Sequence, residues 1–119
     1  MRIVYHLGTC STCAKIIKEL NLSKDFRQRE IKTESISEQE LEQMAKLAGS
    51  YEALFSRRAM KYKSMGLKDK QLGEQDYKQL ILDEYTFLKR PVFIIDNEIF
   101  IGNAKKTVEA VAEKLANEQ

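Results

Sequence analysis

The chain has 119 residues, the length of one ordinary domain, and 43% hydrophobic and 32% charged residues supply both a core and a solvated surface. Twenty basic residues against 18 acidic ones leave a formal net charge of +2, too balanced for direct nucleic-acid binding or an acidic membrane to be expected. The longest apolar runs, such as Val92–Phe93–Ile94–Ile95, fall short of the roughly 20 residues of a membrane span, and the start of the chain lacks a secretory pattern, so a cytoplasmic setting is expected.

Residues 2–6 predict a short strand, because Ile3, Val4 and Tyr5 favour extended backbone. Gly8–Thr9 breaks it. A helix over about 10–20 follows, with Cys13, Ile16, Ile17 and Leu20 on one face and Asn21 as its stop. Residues 25–31 predict a second strand, polar enough to lie at a sheet edge. Ser37–Glu38–Gln39–Glu40 is a capping box opening a helix that points Leu41, Met44, Ala45 and Ala48 inward and stops at Gly49.

Short helices are expected at about 52–55 and 58–65, the second broken at Gly66. A longer one is expected over 74–88, with Tyr77, Leu80, Ile81, Tyr85 and Leu88 on one face. After Pro91, two apolar runs flank Asp96–Asn97 and read as a β-hairpin. Gly102–Asn103 ends it. The last helix opens at Asn103 or Ala104 with an apolar stripe of Val108, Val111, Ala112 and Leu115. The order β-α-β, helices, β-β-α predicts one α/β domain with a four-stranded mixed sheet. Its core would occupy about 1–32 and 89–117, with a helical insertion at about 35–88.

The Cys10–Ser11–Thr12–Cys13 segment is the strongest chemical signal. Two cysteines are too few for a disulfide scaffold, and a pair three positions apart is more often catalytic or sensory than structural. Cys10 falls at a helix start, where unpaired backbone amides favour a thiolate, and Cys13 lies one turn on, placed to attack a mixed disulfide at Cys10. The bland alternative is that both are small buried residues. One cysteine pair and one histidine fall short of a structural zinc site, so neither a metal nor a bound cofactor is expected.

His6, the only histidine, ends the first strand. It would either support the thiolate as an imidazolium or merely bond backbone. Arg90–Pro91, before a strand, is a place for a cis peptide. Arg90 offers either a planar fork to an oxyanion or a simple complement to a helix dipole. Arg57–Arg58 reads as an anion-binding arm or as a solvated basic face, and nothing in the residues alone chooses.

Four segments together carry a resemblance. They are Val4–Tyr5–His6–Leu7–Gly8–Thr9–Cys10, Ala53–Leu54–Phe55–Ser56–Arg57–Arg58, Phe87–Leu88–Lys89–Arg90–Pro91–Val92 and Ile101–Gly102–Asn103. With them the chain resembles the ArsC/Spx family over nearly its whole length. That family contains glutaredoxin-dependent arsenate reductases and thiol-switch transcription regulators.

The resemblance implies a thioredoxin-like fold, with Cys10 as the nucleophile toward arsenate and His6 as a residue lowering the thiol pKa. It implies that Arg90, before the cis proline Pro91, binds the oxyanion. Arg58 best matches the arginine of the central segment in the Spx-like branch, while the reductases' arginine there aligns nearer Ser56 or Arg57. Two features depart from the reductases. Gly102–Asn103–Ala104–Lys105 lacks their third arginine, and Cys13 stands where they have no cysteine. The Cys-x-x-Cys pair looks more like the Spx branch, whose longer C-terminal extension is missing here.

The resemblance therefore implies an arsenate reductase-like thiol oxidoreductase acting on a small oxyanion or thiol, with glutathione or glutaredoxin as reductant. The alternative it implies is an Spx-like regulator in which a Cys10–Cys13 disulfide governs binding to RNA polymerase.

Overall fold

The computed structural model describes residues 2–117. In chain order the elements are β1 (Arg2–His6), α1 (Ser11–Leu20), β2 (Arg27–Glu30), α2 (Glu38–Ala48), α3 (Met60–Ser64), α4 (Glu74–Asp83), β3 (Val92–Ile95), β4 (Glu98–Ile101) and α5 (Lys105–Ala116). Short 3-10 turns lie at Glu52–Leu54, Leu67–Asp69 and Tyr85–Phe87. The chain divides into two compact units. One is Met1–Glu34 with Arg90–Gln119, and the other is Ser35–Lys89.

The first unit holds a four-stranded mixed sheet in the order β2-β1-β3-β4, as the sequence pattern predicts. β1 runs parallel to β2 and antiparallel to β3, and β3 and β4 form the expected hairpin. Asp96 turns the hairpin at φ +57°, a left-handed conformation that aspartate tolerates. β2 is an edge strand but shorter than expected, because residues 23–26 are spent on a turn in which the Phe26 amide donates to the Ser23 carbonyl (3.1 Å).

Why the sheet stays closed follows from its side chains. Val4, Ile16, Phe26, Phe93, Ile95 and Val111 are buried together, with Ile17, Leu20, Leu22, Phe100, Val108 and Leu115 packed around them. Each fully buried side chain of this size contributes about 1.5–3 kcal/mol relative to leaving it in water. Phe26 meets Phe93 edge-on, with centroids 6.1 Å apart, an arrangement aromatic rings prefer. Ala112 does not join the stripe of α5. It is exposed, because Val108, Val111 and Leu115 already fill the face turned to the sheet.

The second unit is helical. Its capping box forms as predicted: the Glu40 amide donates to Ser37 Oγ and the Ser37 amide to Glu40 Oε1, both at 3.1 Å. Leu41, Met44 and Ala45 turn inward while Ala48 is half-buried, and Gly49 ends α2 at φ +96°. Lys78 on α4 reaches Glu38 and Glu42 on α2 at 2.8 and 3.0 Å.

The expected helix over 74–88 is two pieces. α4 stops at Asp83, Glu84 is extended, and residues 85–87 form a 3-10 turn. The break lets Leu88 pair antiparallel with Phe55 as an isolated bridge. The Ser56 amide donates to the Phe87 carbonyl (2.6 Å) and the Lys89 amide to the Leu54 carbonyl (2.8 Å). Phe55 then stacks on Phe87 with centroids 5.0 Å apart and tilts against Tyr77 at 4.8 Å. A continuous helix would forfeit these contacts.

Candidate active site at the cysteine pair

β1 leaves the sheet after His6, and residues 7–10 form a tight loop in which the Cys10 amide donates to the Leu7 carbonyl (3.0 Å). Cys10 is the N-cap of α1, extended at φ −87° and ψ 108°, and its carbonyl accepts the Ala14 amide (3.1 Å). The first turn of α1 contains no acidic residue, so no carboxylate competes for its exposed amides. Both thiols are free, with Cys10 half-buried and Cys13 fully buried.

The two sulfurs are close and chemically unlike. Burial pushes the Cys10 thiol up, but the amide and thiol of Cys13, the amide of Thr12 and the charge of Arg90 outweigh it. The net direction is down. The Cys10 sulfur closes no capping hydrogen bond in the strict geometric sense, so the amides act on it as aimed dipoles. For Cys13 burial dominates. Although the Leu7 amide and Arg90 pull the other way, the thiol is pushed up to about 11, with the neighbouring Cys10 adding to the rise. One thiol is shifted toward the anion and its neighbour is kept protonated.

Arg90 therefore acts on both sulfurs, and the Arg90–Pro91 bond is cis as expected. The entrance to β3 is held by the Gly102 amide, which donates to the Pro91 carbonyl (2.9 Å). His6 is different. Burial lowers its pKa and the Glu30 charge only partly restores it, so the neutral imidazole is favoured at neutral pH rather than the imidazolium considered from the sequence.

Arg57 and Arg58 belong to the helical unit. Arg57 is engaged there, donating to Glu52 Oε2 (2.7 Å) and Tyr77 Oη (3.1 Å), while Arg58 is exposed.

The residue that sequence reasoning missed is Glu30, at the end of β2 and in register with His6. Its Oε1 accepts the Gly8 amide at 2.9 Å. Its Oε2 accepts the Thr33 amide and hydroxyl, both at 2.8 Å. These bonds hold its carboxyl far below the ordinary range, at about 2. A polar edge strand gives no hint of this, since the partner lies 22 residues away.

A groove of about 410 Å³ runs between α1 and the start of α5, lined among others by Ser11, Thr12, Lys15, Asn103 and Lys105. Among the described residues no cluster of three or more His, Cys, Asp or Glu side chains is placed to hold a metal, and no helix is long and apolar enough to cross a membrane.

A helix-capping cysteine beside an arginine and a cis proline, on a four-stranded mixed sheet, defines a thioredoxin-like thiol site. The model of the ArsC family matches residues 5–111, and the chain belongs to that family. Solved structures agree in fold. A protein from Bacteroides fragilis related to the ArsC family is 22% identical with a TM-score of 0.76, covering 92% of this chain and 96% of its own. An arsenate reductase from Vibrio cholerae is 21% identical with a TM-score of 0.72, covering 94% and 95%. An arsenate reductase (ArsC) related protein from Brucella melitensis is 19% identical with a TM-score of 0.69, covering 92% of each. A comparison with curated protein sequences finds no match.

Proposed function

We propose that the chain is an arsenate reductase-like thiol oxidoreductase of the cytoplasm with Cys10 as its nucleophile. The observation that carries this reading is the opposite tuning of two adjacent thiols: Cys10 is lowered despite its burial and Cys13 is raised to about 11. A nucleophile and a reserve thiol need that difference.

In the first step the Cys10 thiolate attacks arsenic of arsenate. A sulfur–arsenic bond forms and one oxygen leaves as water after taking up protons. Arg90 stabilises the oxyanion. In the second step a thiolate attacks the Cys10 sulfur. The sulfur–arsenic bond breaks with its electron pair going to arsenic, which leaves as trivalent arsenite, and the two sulfurs end oxidised as a disulfide.

The attacking thiolate comes from Cys13 or from glutathione, with glutaredoxin restoring Cys10. Once Cys10 carries the adduct, its negative charge and its hydrogen bond no longer hold the Cys13 proton, so Cys13 ionises more readily at the stage where it is needed.

A coupled assay with arsenate, glutathione and glutaredoxin tests the proposal beside a Cys10→Ser control. Arsenate-dependent glutathione oxidation that vanishes in the control is the expected outcome. Cys13→Ala then separates the resolving thiols, because loss of turnover assigns the step to Cys13 and retention assigns it to glutathione. The close approach of the two sulfurs also supports a second reading, an Spx-like disulfide switch that alters binding to RNA polymerase. No turnover, together with an oxidant-induced Cys10–Cys13 disulfide that changes polymerase binding, would replace the first reading by the second.

A further inference from the structure

The parallel ladder between β1 and β2 ends at His6 and Glu30, with the Ile31 amide donating to the His6 carbonyl (2.9 Å). Beyond it, β1 has no strand to pair with, and the next loop amides must find other acceptors. They find two. The Leu7 amide acts on the Cys13 sulfur, and the Gly8 amide donates to Glu30 Oε1 at 2.9 Å. The second carboxylate oxygen is tied to Thr33, so Glu30 cannot swing with the loop.

A larger residue 8 would press on the Glu30 side chain at this approach. A Cβ at Gly8 would lie 3.3 Å from Glu30 Cγ, tighter than ordinary contact. From Gly8 the restraint passes along the loop, since the Leu7 carbonyl accepts the Cys10 amide and so sets the backbone from which the sulfur meets the amides of Thr12 and Cys13.

We infer that Glu30 is a positioning residue for the nucleophile: its carboxylate extends the β1–β2 ladder by one side-chain rung and fixes the Gly8 loop that aims Cys10. The inference rests on Cys10 being the reactive thiol. Glu30 touches no reacting atom, and its own charge works against the thiolate. That opposition yields a test, because the two effects have opposite signs. If Glu30 acted only as a nearby negative charge, its removal would lower the pKa of Cys10. If it positions the loop, its removal raises it. The other charged or titratable groups acting here are Arg90 before β3, Cys13 on α1 and His6 on β1, and all stay in place.

The experiment measures iodoacetamide alkylation against pH in the full chain, read at the Cys10 peptide by mass spectrometry so that Cys13 stays in place, with circular dichroism as the check on fold. Glu30→Ala is expected to raise the midpoint by about half a pH unit, a ~3-fold loss of thiolate at fixed pH below it. Glu30→Gln, which keeps one acceptor oxygen, should raise it less. Gly8→Ala keeps the Glu30 charge but crowds the contact, so it should also raise the midpoint, and the double variant should shift less than the two single shifts combined.

A midpoint that falls or stays put in Glu30→Ala overturns the inference. Should that variant fail to fold, an unmoved midpoint in both Gly8→Ala and Glu30→Gln does so. The wild-type profile judges the underlying reading separately: a Cys10 that titrates like a free thiol defeats the nucleophile assignment, whereas the variants are scored by their shift from wild type.

Discussion

At Cys10 and Cys13 the same polypeptide turn produces two thiols of opposite character, and the difference comes from where each sulfur sits rather than from residue type. Cys10 caps the helix and meets amides and Arg90, while Cys13 is one turn deeper and pays for burial. Alkylation should therefore label Cys10 first, with a midpoint below the free-thiol value of about 8.5. Arg90→Ala removes a fixed cation and should raise that midpoint, because the thiolate loses a favourable charge. His6→Ala should move it less, since burial lowers the His6 pKa and so disfavours the imidazolium that would hold the thiolate. Equal shifts from the two variants would contradict this ordering. The helix start at Cys10, the position of Cys13 one turn on and the cis bond before Pro91 were legible in the sequence because each follows a local rule about helix starts or strand entrances, whereas a place for Arg90 beside the cysteines came only with the family resemblance. Glu30 was not, because a carboxylate that anchors a loop 22 residues away leaves no local pattern. The charge state of His6 was equally hidden, as burial is a property of the folded chain.

Among the elements, the caps and the stops at Asn21, Gly49 and Gly66 were read correctly, and the break at Glu84 was not. The Ser37–Glu40 box is a four-residue pattern with a single geometric meaning. Ser37→Ala should cost about 1 kcal/mol, seen as a lower midpoint in urea at unchanged slope. α4 shows the opposite case. Tyr85 and Leu88 keep the three-residue spacing of a helix face, and a 3-10 turn preserves that spacing, so periodicity alone does not distinguish the two. What decides is tertiary: Leu88 pairs with Phe55 and is fully buried. Leu88→Ala should accordingly destabilise by about 2–5 kcal/mol, whereas Leu80→Ala, at a half-buried position, should cost clearly less. Similar losses for both would contradict this difference in burial.

For the molecule as a whole, acid should act through the same carboxylates that organise its loops. Glu30 titrates at about 2 in the fold against an ordinary 4.5, and Glu38 and Glu84 are shifted in the same direction by Lys78 and Lys61. A depressed folded-state pKa contributes stability that is complete above about 4.5 and disappears as pH falls toward 2. Stability measured against pH should therefore be flat near neutrality and decline below about 4.5. In Glu30→Gln the decline should be shallower and the neutral plateau lower. A variant with the wild-type slope would show that the carboxylate contributes nothing to acid sensitivity.

The sheet order has a consequence in time. Cys10 is synthesised early, but Arg90 follows about 80 residues later, after the whole segment Ser35–Lys89. At roughly 5–20 residues per second the ribosome needs on the order of 4–16 seconds to add that stretch. Meanwhile β1 lacks its antiparallel neighbour β3, and a ten-residue α1 without its packing is only marginally helical. The emerging chain thus carries its cysteine pair without the aimed amides or the guanidinium that lower the Cys10 thiol. The charge of Arg90 can act on the Cys10 thiol only once β3 has been made and has paired with β1, so that part of the lowering comes late in the life of the nascent chain.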